Sequence, residues 1–76
     1  MKPGDLFRVK STCDPRWIPQ VYTLNPQEQF EYAFTLTYHD LGILIDPVGY
    51  GGYAKVMVRG QVVWVMLLNR NFRVIS

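Results

Sequence analysis

The chain has 76 residues, eight Lys and Arg against six Asp and Glu, one His and one Cys. That length holds one domain, residues 1–76, and a net charge of +2 is too small to imply a nucleic-acid partner by itself. A lone Cys13 excludes an internal disulfide framework and fits a reducing compartment. No apolar run is long enough to cross a membrane as a helix, and Met1-Lys2-Pro3-Gly4-Asp5 lacks the apolar core of a signal peptide.

In chain order, Lys2-Pro3-Gly4-Asp5 reads as a turn feeding a strand through Leu6, Phe7, Arg8, Val9 and Lys10. Ser11 to Asp14 interrupts it, and Pro15 and Pro19 bracket Trp17 and Ile18 as edge-like structure. Val21 to Leu24 forms a second strand. At Asn25-Pro26-Gln27-Glu28 two readings compete. Asn before Pro, with Glu two residues on, can start a helix. Downstream, however, Phe30, Tyr32, Phe34, Leu36 and Tyr38 alternate strictly with Glu31, Ala33, Thr35 and Thr37. That period of two outweighs the helical spacing, so Asn25-Pro26 is read as a type I turn. The expectation is a long hairpin, Trp17–Leu24 against Phe30–Tyr38.

The last 35 residues carry the clearest pattern. Ile43 and Ile45 share one face, with Leu44 and Asp46 on the other, and Pro47 marks a strand end or an edge. Val48 to Tyr53 is read as a glycine-rich connection. Ala54, Val56 and Val58 alternate with Lys55, Met57 and Arg59, the mark of a half-buried strand. Gly60 sits in a short hairpin link, Arg59-Gly60-Gln61. Val62 to Leu68 is an unbroken apolar run that suits a strand covered on both faces. Asn69-Arg70-Asn71 supplies a tight or 3₁₀ turn before a last strand over Phe72–Ile75. A meander with a one-turn break before its terminal strand predicts an all-β fold, a small SH3-like barrel with an elongated first hairpin loop.

Chemistry is sparse. His39 and Asp40 are sequence neighbours, which places them on opposite faces of a strand rather than in a dyad. A Cys13–His39 pair would need the fold to unite the two and a third group to orient them, and the ligand count for a metal site is too low. Tyr50-Gly51-Gly52-Tyr53 lacks the Lys-Ser or Lys-Thr ending of a phosphate-binding loop. The chain is therefore expected to be no enzyme, with no cofactor, metal or small-molecule substrate. The aromatic and basic residues are better material. Trp17, Tyr50, Tyr53, Arg59, Trp64 and Arg73 are the candidate partner-binding residues, because Trp, Tyr and Arg dominate protein interfaces. From Pro47 onward every charge is positive, whereas Asp14 to Asp46 is acidic apart from Arg16. Opposite signs of this kind suit head-to-tail contacts or an ordinary mixed surface, and the mixed surface is favoured because small domains scatter charge this unevenly by chance. The rival class is nucleic-acid binding, with Lys55, Arg59, Arg70 and Arg73 on phosphates beside Tyr53 and Trp64.

A family pattern follows from Lys2-Pro3-Gly4-Asp5-Leu6, Gly42-Ile43-Leu44-Ile45, Lys55-Val56-Met57-Val58, Val62-Val63-Trp64-Val65 and Val74-Ile75-Ser76. Together these resemble the small SH3-like β-barrel proteins of tailed bacteriophages, especially those of marine and cyanobacterial hosts. The likeness covers about the first ten residues and the last thirty-five. It implies a protein–protein interaction module, a structural or assembly component of a virion, located in the virion or the host cytoplasm. A phage inhibitor of a host protein is the alternative within binding. A protein partner or self-association is expected, with nucleic acid the lesser possibility and no membrane.

Overall fold

The computed structural model describes residues 2–10, 20–37, 39–66 and 72–75. Seven strands run in chain order: β1 (Leu6–Val9), β2 (Gln20–Leu24), β3 (Phe30–Thr35), β4 (Gly42–Tyr50), β5 (Tyr53–Val58), β6 (Gln61–Val65) and β7 (Phe72–Val74). They form one sheet in the order β3-β2-β6-β5-β4-β1-β7. Every neighbouring pair is antiparallel. Among the described residues there is no helix, and β3 and β7 end the sheet unpaired with each other. The all-β expectation holds at this level.

Alternation explains which side is buried, because successive side chains in a strand point to opposite faces. On β5, Ala54, Val56 and Val58 are buried while Met57 between them is exposed. Their cross-strand partners Leu44, Val63 and Val65 are buried with them. Phe7, Val9, Val21, Leu36 and Phe72 complete a single core cluster. Phe7 meets Phe72 edge to face, with centroids 5.4 Å apart and planes at 83°. This geometry suits two ring quadrupoles.

The turns follow their residue chemistry. The Asp5 amide donates to the Lys2 carbonyl at 3.1 Å, closing the expected opening turn. The Gly4 amide then donates to the Leu44 carbonyl at 2.8 Å and ties that turn to β4. Between β2 and β3, the Glu28 amide donates to the Asn25 carbonyl at 2.9 Å, with Pro26 at the second turn position. The Asn25 side-chain Oδ1 accepts from the amides of Gln27 and Gln29. The turn reading thus describes this stretch and the helical one does not. Glu28 pays with a left-handed φ of 62°. The β2–β3 hairpin itself matches expectation over its described residues. Trp17, Tyr38, Cys13 and the Asn69-Arg70-Asn71 break lie outside them.

Two local readings differ from the structure. Pro47 does not end β4, which continues to Tyr50 and pairs it with Tyr53 across Gly51-Gly52. The register shifts between Leu44 and Asp46 and again between Asp46 and Tyr50. Pro47 sits in this irregular stretch, where a missing amide donor costs no ladder bond. The Val48 amide is satisfied by Asp46 Oδ1 at 3.0 Å. The apolar run from Val62 is likewise covered on one face only. Val63 and Val65 are buried, Trp64 is half-buried, and Val62 and Met66 are exposed. Being central in a sheet does not bring a second layer onto the outer side.

Candidate functional site

The outer face of the sheet is where the exposed apolar residues gather. The register places Leu6 opposite Ile43, Ile43 opposite Met57 and Met57 opposite Val62. This is a row of four apolar side chains across β1, β4, β5 and β6. Ile43, Met57 and Val62 are each 39% exposed. A parallel row runs from Tyr22 to Trp64, Lys55 and Asp46.

Around Trp64 the fold assembles a five-ring cluster. Phe30 is its hub, with centroid distances of 4.8 Å to Tyr53, 5.7 Å to Tyr50, 6.1 Å to Tyr22 and 6.2 Å to Trp64. Tyr22 and Tyr53 close the ring set at 5.6 Å. The tilted and edge-on geometries are the favourable ones, each worth about 0.5–1.5 kcal/mol beyond area burial. Tyr50 leaves 44% of its surface to solvent at the rim, and the Lys55 ammonium lies 6.0 Å from the Trp64 ring centroid. Such a surface offers flat apolar area with phenol hydroxyls and the Lys55 ammonium at its border.

Of the six candidate residues, Tyr50, Tyr53 and Trp64 thus come together. Arg59 does not join them. It sits past the other end of β5, about 20 Å along the strand from Tyr53 by strand rise. Arg73 lies on β7 directly opposite Arg8, on the far side of the strand order. Trp17 falls outside the described residues. Sequence reasoning missed Phe30 as the hub. Its alternation was visible, but the strand that brings β2, and with it β3, over Trp64 is β6, forty residues downstream of β2 in the chain, and no local pattern announces that pairing.

Arg59 is held in an ion pair instead. Its Nε and Nη2 donate to the two carboxylate oxygens of Asp40, each at 2.9 Å, and its guanidinium stacks 4.2 Å over the Phe34 ring centroid. The Thr37 amide donates to the same carboxylate at 2.9 Å, and its hydroxyl at 3.3 Å. Arg59 keeps this position at a left-handed φ of 53°, one residue before Gly60 at 73°, in the two-residue β5–β6 turn. The Arg59 hydrogen bonds, aided by Thr37 and opposed by partial burial, hold the Asp40 carboxyl below its ordinary 3.8. A carboxyl depressed in the folded state adds stability above its unfolded pKa and loses it as pH falls through the folded one. Asp40→Asn should therefore lower the urea midpoint at neutral pH and flatten its fall below about pH 3.8. Equal acid limbs in the two proteins would show that the pair contributes nothing.

Among the described residues, no three His, Cys, Asp or Glu side chains gather to hold a metal ion, and no helix is long and apolar enough to cross a membrane. No protein-family model, curated protein or solved structure matches the chain.

Proposed function

We propose that this chain is a non-enzymatic protein–protein interaction module that binds through the outer face of its sheet. The observation that carries the reading is the exposed apolar row of Ile43, Met57 and Val62 beside the Tyr22, Phe30, Tyr50, Tyr53 and Trp64 cluster. Extended apolar and aromatic surface on a small domain marks an interaction site more often than an idle face. The finer architecture in this reading is an SH3-like barrel. It is supported by β1 lying between β4 and the terminal β7, by the β4–β5–β6 meander, and by the β2–β3 hairpin inserted where such barrels have their first long loop. The setting that the phage resemblance favours is assembly or structure of a virion.

The test is light scattering on the untagged protein over a concentration series, with and without short single-stranded DNA at low and moderate salt. The expected result is a mass above the 8.9 kDa of one chain, indifferent to DNA and returned to one chain by Met57→Asp. Met57 is exposed in the middle of the apolar row, so the variant should keep its melting temperature. A single chain whose mass rises with DNA only at low salt would replace this reading with nucleic-acid binding, because phosphate contacts weaken through counterion release.

A further inference from the structure

The two strands that end the sheet carry opposite charge. At one end Arg8 of β1 and Arg73 of β7 stand directly opposite each other, both exposed. Directly opposed side chains in an antiparallel pair have Cβ atoms about 4.5–5.5 Å apart, and like charges there repel. Neither guanidinium has an ion-pair partner among the described residues, and no acidic residue lies on β1 or β7. Lys10 follows two positions beyond Arg8. At the other end, the β2–β3 hairpin carries Glu28 at its turn and Glu31 on β3, both exposed, and neither strand has a cation. Among the described residues, the Glu31 carboxylate takes a long contact from the Asn25 amide group at 3.4 Å. The Asn25 hydrogen bonds hold the turn that carries Glu28, and Glu31 follows on β3 opposite Thr23.

We infer that the Arg8–Arg73 pair is a docking fork for the Glu28–Glu31 hairpin tip of a second copy of this chain. A carboxylate placed between two guanidiniums removes the repulsion within the pair and makes charge-assisted hydrogen bonds with both. The exposed Ile75, two positions beyond Arg73, favours a protein partner, since a phosphate backbone would leave it uncovered. The contact joins unlike patches, so a pair of copies keeps one free fork and one free tip, and the association can propagate or close into a ring. This inference rests on reading the chain as an interaction module and names its partner.

A charge swap tests it by sedimentation velocity at low salt. Arg8→Glu with Arg73→Glu, and separately Glu28→Lys with Glu31→Lys, should each weaken self-association by about tenfold or more, while an equimolar mixture of the two variants restores it. All four positions are exposed, so each variant should retain its far-UV circular dichroism and melting curve. The wild-type association should also fall as salt rises. Variants that associate like the wild type, or a mixture that stays apart, overturn the inference. If Met57→Asp breaks the assembly while the charge reversals leave it intact, the fork is refuted and the interaction reading survives. If the wild type remains one chain at every concentration and neither face matters, both fall.

Discussion

Gly49→Ala should destabilise the domain by about 3 kcal/mol or more, a large fraction of what holds it folded. Two separate strains meet at this position. Gly49 has a φ of +36°, where a side chain is disfavoured, and left-handed or sparsely populated conformations cost about 1–3 kcal/mol. A Cβ built there would also overlap the Tyr53 carbonyl oxygen, with the Tyr53 carbonyl carbon at 2.8 Å and the Ala54 Cα at 3.0 Å. These are backbone atoms of the neighbouring strand, so no rotamer change relieves the clash. Forcing extra atoms into a packed site costs about a further 1–3 kcal/mol. A domain of this length has a total stability of only about 4–11 kcal/mol. Gly52→Ala is the control. Its φ is +86°, yet nothing lies within 4 Å of the added Cβ, so it carries the backbone term alone. Urea midpoints of the two variants separate strain from collision, and equal midpoints would show that no collision with β5 adds to the backbone term at Gly49. The site would suffer too, because the end of β4 that Gly49 brings against β5 delivers Tyr50 to the aromatic cluster.

Phe30→Ala should cost about 2–4 kcal/mol and disperse the cluster. Phe30 is only half-buried, so the loss comes less from hydrophobic transfer than from its four ring contacts. Phe30→Leu keeps most of the apolar volume and none of the ring edges, and should fall between the wild type and the Ala variant. The fluorescence of Trp64, read in a Trp17→Phe background, should shift to the red as its neighbour leaves. A double-mutant cycle between Phe30 and Tyr53, whose centroids are 4.8 Å apart, should give a coupling of about 0.5–1.5 kcal/mol. An additive cycle would reduce the cluster to coincidental neighbours. In that case the aromatic half of the proposed docking face would lose its preorganised geometry.

Much of this fold is written locally. The alternation of Ala54, Val56 and Val58 with Lys55 and Met57 placed a half-buried strand that the structure contains, with the same residues inward. The Asn25-Pro26 turn and the hairpin it joins were legible because one side chain, Asn25, both caps and closes the loop. Three aromatic members of the proposed docking face, Tyr50, Tyr53 and Trp64, could be named from residue type and position. Their company could not.

The sequence by itself determined which residues alternate, where the chain reverses at Arg59-Gly60, and that the product is all-β. Only the tertiary structure decided that β2 pairs with β6, that β1 lies between β4 and β7, and hence that Phe30 sits over Trp64 and Arg8 faces Arg73. It also decided that Asp40 reaches Arg59, nineteen residues away. The physical reason is the same in each case. A period of two fixes which face a side chain takes, but it carries no label for the neighbouring strand. Long-range pairing is chosen by how the whole apolar face closes on itself, and that is a property of the assembled sheet rather than of any one stretch of chain.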